Sequence, residues 1–148
     1  MALGAPRELD SDEEIAALLE TVRRIAVLGI KTEEQANQPA FYVARYLKDA
    51  GLDVVPVPVY YPDAKTILGR EVHRTLAAIP PPPLDLVDVF RRSFDVKAHL
   101  PDILAARPRA VWLQLGIRED AVAAELVRNG IYVVQDRCLM VEHRRLRG

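Results

Sequence analysis

Arg24-Ile25-Ala26-Val27-Leu28 runs straight into Gly29-Ile30-Lys31. The run is too short and too evenly apolar for a surface helix, so it reads as a central strand buried on both faces. Three more apolar runs end in the same manner. Val54-Val55-Pro56-Val57 leads into Pro58-Val59-Tyr60, and Leu86-Val87-Asp88-Val89-Phe90 into Arg91-Arg92-Ser93. Val111-Trp112-Leu113 leads into Gln114-Leu115-Gly116. A helical stretch or a turn follows each run. Such alternation predicts a parallel α/β sheet, whose strand ends lie along the one edge where open sheets bind ligands.

The second run fixes the strand order. Pro56 and Pro58 stand two residues apart, so both leave the same side of the strand without a donor. An edge strand tolerates that and an interior strand does not. Ser11-Asp12-Glu13-Glu14 has the spacing of a capping box and opens a short helix to about Glu20 with Ile15, Leu18 and Leu19 on one face. Glu33 to Gln38 reads as a polar loop, Pro39 as the first turn of a helix carrying Phe41, Ala44, Tyr46 and Leu47, and Gly51 as its stop. Tyr60 to Gly69 reads as a long turn, Leu76 to Ile79 as one helical turn, and Pro80-Pro81-Pro82-Pro83 as a stiff connector. Asp95 is placed to cap a helix to about Ala106, and Pro108 to break it. Ala110 to Leu115 is the fourth strand, and Arg118 to Arg128 is an amphipathic helix closed by Asn129-Gly130. Ile131 to Val134 is the fifth strand, and Asp136 is placed to cap a last helix from about Cys138 to Arg145. The expected fold is α/β, a doubly wound parallel five-stranded sheet of order 2-1-3-4-5 with helices on both faces. It is expected as one domain over residues 1–148, with residues 1–22 as an N-terminal helical extension. The switch point falls between the first and third strands, flanked by Gly29-Ile30-Lys31 and Phe90-Arg91-Arg92.

Composition narrows the function. The chain has 148 residues, 50% of them hydrophobic, and a net charge of −1. That balance argues against a nucleic-acid partner, which calls for a basic excess. No apolar run approaches the ~20 residues that span a bilayer, so no membrane partner is expected. Met1 to Asp10 lacks the apolar core of a signal peptide, and a cytoplasmic location is expected. The single cysteine, Cys138, excludes an internal disulfide.

The strand ends supply the candidate residues. Gly29 is the only glycine between Gly4 and Gly51, so a complete G-x-G-x-x-G is absent. It is either a tight turn or a close approach of backbone to a phosphate, with Gln38-Pro39-Ala40 offering amides at a helix N-terminus and Lys31 adding charge. A nicotinamide dinucleotide site places an acid at the end of the second strand. Here stand Pro58, Val59 and Tyr60, and the first acid is Asp63. Tyr60 or Tyr61 either covers a flat base or packs. Arg91-Arg92 is the strongest polar signal: guanidinium groups bind phosphates with paired hydrogen bonds, the alternative being salt bridges to surface helices. Asp88, inside a buried strand, is expected to be hydrogen-bonded for structural reasons. Gln114-Leu115-Gly116 offers backbone and amide contacts. Cys138 is nucleophilic only if its thiol is activated, as a helix N-terminus can do. His73, His99 and His143 show no ligand spacing and are expected in structural or surface roles. No catalytic residue and no metal-ligand set is assigned.

Together, Ile25-Ala26-Val27-Leu28-Gly29, Val87-Asp88-Val89-Phe90-Arg91-Arg92, Val111-Trp112-Leu113-Gln114-Leu115-Gly116-Ile117-Arg118 and Asp136-Arg137-Cys138 resemble the small stand-alone CoA-binding domain proteins. That family is similar to the N-terminal CoA-binding domain of the succinyl-CoA synthetase α subunit. The resemblance covers about Arg23 to Leu146. It implies a Rossmann-like fold that binds coenzyme A across the strand ends. It assigns the binding segments Gly29-Ile30-Lys31, Gln38-Pro39-Ala40, Pro58-Val59-Tyr60, Phe90-Arg91-Arg92 and Gln114-Leu115-Gly116. Many relatives have Arg-Pro-Ser before the first crossover helix. This chain has Asn37-Gln38-Pro39-Ala40 and lacks both the arginine charge and the serine hydroxyl. It also lacks the synthetase's second domain and phosphorylated-histidine loop. The expectation is therefore a coenzyme A or acyl-CoA binder without catalysis of its own: a carrier, sensor or regulator. The alternatives are an NAD(P)-dependent oxidoreductase and a Cys138-dependent acyl-CoA enzyme.

Overall fold

The computed structural model describes residues 3–147. Its organising element is β1 (Arg24–Leu28), in which every residue is buried. On one side β1 pairs in parallel with β2 (Asp53–Val57), and on the other with β5 (Leu86–Val89). β6 (Ala110–Leu113) and β7 (Tyr132–Val134) follow, giving the order β2-β1-β5-β6-β7. Between β2 and β5 lies an antiparallel pair, β3 (Thr66–Ile67) and β4 (Arg70–Glu71). Omitting that pair, the main sheet has the expected order 2-1-3-4-5. The pair itself occupies the stretch read as a long turn.

The prolines mark the edge as expected. Asp53 N–H donates to Arg23 O at 2.9 Å, and Gly29 N–H to Val57 O at 2.8 Å. Residues 53 and 57 therefore face β1, and Pro56 faces out. There its carbonyl accepts the His73 N–H at 3.1 Å. Pro58 falls just past the strand. The opposite edge is covered too. Leu9 N–H donates to Val133 O at 2.8 Å, and Val133 N–H to Arg7 O at 3.2 Å. The N-terminal extension, expected to be helical, thus carries a strand-like segment that closes the β7 edge, a known liability of open sheets.

Alternate residues divide the core into two layers. Ile25, Val27, Leu86 and Trp112 pack against α1 (Asp12–Thr21), α2 (Pro39–Asp49) and α5 (Leu139–Leu146) through Leu18, Phe41, Leu47 and Leu139. Ala26, Val87, Val111 and Leu113 pack against α3 (Leu100–Ala106) and α4 (Asp120–Arg128) through Ile103 and Leu126. Full burial of each such side chain contributes about 1.5–3 kcal/mol. α1 carries the complete capping box of Ser11 and Glu14. The Asp10 and Ser11 amides, with Arg7, hold the Glu14 carboxyl down to about 2. No described helix is long and apolar enough to cross a membrane.

Three expected helix starts move. Asp95 does not cap a helix: Ser93–His99 is a 3₁₀ segment, and α3 begins at Leu100 with Pro101 in its first turn. α4 begins at Asp120 behind a Glu119 cap rather than at Arg118. Asp136, at φ +57°, does not cap α5. Its carboxylate accepts the Gly116 N–H at 2.6 Å, and Gln114 caps the helix instead.

Candidate functional site

At the carboxyl edge, the chain leaves β1 for α2 on one face of the sheet and leaves β5 for α3 on the other. The loops part there and open a cavity of about 870 Å³, within the size range of small-molecule sites. Of the expected residues, Lys31, Gln38, Pro39, Ala40, Tyr60, Phe90, Arg91, Arg92, Gln114, Leu115 and Gly116 line it. Gly29, Ile30, Pro58 and Val59 stand outside the lining. Gly29 sits at φ +86°, and a Cβ there would lie 2.3 Å from Phe90 O. Its N–H is spent on Val57 O. The glycine therefore lets two strand-end loops pass each other, which is the tight-turn reading rather than the phosphate one. Ile30 is buried in the core, and Val59 packs against the α3/α4 layer.

The α2 wall offers less free backbone than expected. Lys31 N–H donates to Ala40 O at 3.1 Å and Gln38 N–H to Gln35 O at 2.9 Å. Pro39 has no N–H. Of this segment, Ala40 N–H alone has no partner among the described residues. Lys31 Nζ bonds to Gln38 Oε1. A lysine charge thus stands at the N-terminus of α2.

The opposite wall holds the arginine pair, and its members differ. Arg91 is largely covered, at 15% side-chain exposure. Its Nε donates to His99 Nε2 at 3.1 Å and its Nη1 to Tyr60 Oη at 3.3 Å, with Asp95 3.7 Å from Nη2. Burial and then the Arg91 charge push the His99 pKa down, so its ring nitrogen stays an acceptor. The Arg91 hydrogen bond, then its charge, lowers the Tyr60 hydroxyl pKa. Arg92 is 71% exposed. Its Nε donates to Asp95 Oδ2 at 3.0 Å, and its guanidinium lies 4.5 Å from the Phe94 ring centroid. Its two Nη groups have no partner among the described residues. Asp95 thus realises the salt-bridge alternative for both stems while leaving the Arg92 head open to an anion.

Gln114 is buried, and its Oε1 accepts the Leu139 N–H at 3.0 Å. Its amide is thus half structural, capping α5 from β6. Sequence reasoning missed Tyr42, Ser93, Phe94 and Ile117 as lining residues and considered Cys138 only for its thiol. Tyr42 stands one helical turn after Gln38, a spacing that could have found it. Ser93, Phe94 and Ile117 directly extend segments already singled out. Tyr60, Phe94 and Leu115 are large apolar side chains that stay exposed, and all three line this one cavity. Such clustering marks interaction sites.

The remaining candidates resolve differently. The Asp88 carboxyl is fully buried, and neither oxygen has a hydrogen-bond partner among the described residues. The expected structural hydrogen bonds are not made, and burial raises its pKa well above the usual range, so the group stays neutral. His143 Nδ1 meets Tyr46 Oη at 2.9 Å, while His73 Nδ1 is buried without a partner. Asp63, the first acid past β2, lines a separate cavity with Glu33 and Glu34.

Comparison with known proteins shows the family and the fold. The model of a family described as CoA binding domain matches residues 23–144. The chain belongs to that family. A Thermus thermophilus protein of known structure is 42% identical, with a TM-score of 0.83, over 93% of this chain and 99% of that one. Uncharacterised protein YneT of Bacillus subtilis is 29% identical over 133 residues, 90% of this chain and 94% of its own. The fold also matches part of a dinucleotide-forming acetyl-coenzyme A synthetase 1 from Candidatus Korarchaeum cryptofilum. There the TM-score is 0.59 and the identity 21%, over 74% of this chain and 25% of that chain, a likeness of fold alone.

Proposed function

We propose that this member of the CoA-binding domain family holds coenzyme A or an acyl-CoA along the carboxyl edge of its sheet, as a carrier, sensor or regulator rather than a turnover enzyme. One observation supports the reading most. A single cavity at the switch point joins anion-binding groups to an exposed apolar rim. The unengaged Arg92 head and Ala40 N–H, with the Lys31 ammonium that Gln38 holds at the helix N-terminus, supply the first; Tyr60, Phe94 and Leu115 supply the second. Coenzyme A has a pyrophosphate, a ribose 3′-phosphate, a flat base and a long pantetheine arm. It therefore asks for amides and cations together with apolar wall. Guanidinium and helix N-terminal amides are the groups suited to its phosphates.

The nicotinamide dinucleotide reading has the fold in its favour and the second strand against it. No acid stands at the end of β2 to take ribose hydroxyls.

Thermal unfolding with coenzyme A, acetyl-CoA, NAD, NADP and ATP side by side tests the proposal. A ligand at 100 times its Kd adds about 2.7 kcal/mol of stability. Stabilisation by the coenzyme A compounds alone is the expected result. Stabilisation by NAD or NADP instead would overturn it.

A further inference from the structure

We infer that Cys138 accepts the acyl group of a bound acyl-CoA, which makes the cavity a covalent acyl-carrying site. The inference rests on the coenzyme A reading above. Cys138 is the one cysteine of the chain, is half-buried, and lies on the cavity wall. It is the N-cap residue of α5, yet its side chain makes no capping hydrogen bond, so the sulfur is not engaged.

An independent feature of the same wall points to a ligand carbonyl. Gln114 is 4% exposed and lines the cavity. Its Oε1 takes the N–H of Leu139, the residue after Cys138, at 3.0 Å. That bond fixes which end of the amide is oxygen. The Nε2 end is left with two hydrogens and no acceptor among the described residues, in a side chain that faces the ligand space. That free donor and the Cys138 thiol line the same cavity, and the backbone N–H that Gln114 Oε1 holds belongs to the residue next to Cys138. A thioester carbonyl that satisfies Nε2 is thereby held beside the sulfur.

The step balances without an oxidant or a metal. The Cys138 sulfur attacks the thioester carbonyl carbon, and the carbonyl electron pair moves to oxygen, where Nε2 donates. Collapse breaks the bond to the coenzyme A sulfur. The departing thiolate takes up the proton that Cys138 releases. One C–S bond forms, one breaks, and the products are S-acyl Cys138 and free coenzyme A. A second cavity of about 380 Å³, reached past Asp10 and Arg137, shares Cys138 and Leu115 with the first. It gives an acyl acceptor an approach on the side that coenzyme A does not fill.

Intact-mass spectrometry of the full chain with acetyl-CoA and butyryl-CoA tests this, alongside calorimetric titration of coenzyme A. The expected result is one hydroxylamine-labile acyl group per chain, mapped to Cys138 and absent in Cys138→Ser. Native protein should acylate at least ~10-fold faster than the urea-unfolded chain, the direction expected of a preorganised site. Gln114→Glu keeps an oxygen for the Leu139 N–H and removes the donor. It should slow acylation by about 10²–10³-fold, as loss of an oxyanion donor does. An adduct spread over lysines, one that survives Cys138→Ser, or a native rate no faster than the unfolded one overturns the inference while a positive titration leaves the binding reading standing. A wild-type rate in Gln114→Glu overturns the role given to Nε2. A titration without heat for any coenzyme A compound removes both readings together.

Discussion

The two ends of the sheet use the same residue types to opposite effect. At the amino end, charge is folded in and paired. The Asp85 carboxylate accepts the Arg23 and Arg24 amides at 2.8 and 2.9 Å. The buried Arg24 side chain bonds Asp53 at 3.2 Å, Pro80 O at 2.8 Å and Pro82 O, tying the four-proline connector to β1 and β2. At the carboxyl end, polar groups are aimed and then left open: the Arg92 head, the Ala40 N–H and the Gln114 Nε2. Burying a polar group without a partner is costly, so the pairing of Arg24, Asp53 and Asp85 keeps the amino end stable. An end where several polar groups stand unpaired is suited to a ligand, which supports the proposed binding along the carboxyl edge.

Substitutions at the two ends should therefore separate cleanly. The largest effect is expected from Arg24→Ala, which removes the bonds that close the amino end. Hydrogen bonds to a charged group contribute about 1.5–3 kcal/mol, and urea unfolding should show a loss of this size. Coenzyme A affinity of the folded fraction should not change. A variant that loses affinity but not stability would erase the distinction between the ends.

Arg92→Ala is the converse. Its head is exposed and unpaired, so unfolding should stay within ~0.5 kcal/mol of the parent, as surface changes do. Coenzyme A affinity should fall about 10-fold, the lower range for one charge-assisted phosphate contact. If that phosphate is the 3′-phosphate, dephospho-CoA should lose much less. Equal loss would assign Arg92 to the pyrophosphate. Arg91→Ala should instead damage both properties, because Arg91 is bonded to His99 and Tyr60.

Asp88 lies between the two ends and follows neither rule. Its folded-state pKa is raised, so its contribution is most favourable below about 3.8 and is lost as pH climbs toward the folded value. Asp88→Asn removes that proton linkage. Unfolding free energies should show the variant gaining on the parent steadily as pH rises from about 4 to 7. A constant difference across that range would mean that the carboxyl is ionised in the fold.

The smallest effect belongs to His99 and His143, both depressed below their ordinary 6.5, chiefly by burial. The unfolded chain takes up those protons first as pH falls. Stability should be full above about 6.5 and decline as pH drops through the lower folded-state values. His99→Gln should flatten that decline. In the parent, coenzyme A affinity should begin to change only where His99 protonates and repels Arg91.

Much of this was legible in the chain, and the reasons differ by element. Pro56 and Pro58 announced the edge because proline removes a donor on a known side, a local chemical fact. The β3–β4 pair was not legible, since two-residue strands carry no period. The late start of α3 was: Pro101 is best placed in a first turn, a signal that the reading of Asp95 as the cap left unused. Arg91 and Arg92 were identical on the page and different in the fold. Which of them is free depends on His99 and Tyr60, eight and thirty-one residues away. Gln114 was read as a ligand contact, yet its oxygen caps a helix 25 residues on, and only its nitrogen remains for a ligand. Element types and strand-end residues follow from local pattern. Which atoms are engaged follows from packing over long separations.

The most direct test of the open end is amide-resolved NMR during titration with coenzyme A. The account predicts the strongest perturbations at Ala40, the 91–94 loop and Leu115-Gly116. The Arg24, Asp53 and Asp85 amides at the opposite end should hold still. Perturbations centred on Arg24 and the proline connector, or on the Glu33–Asp63 cavity, would contradict it.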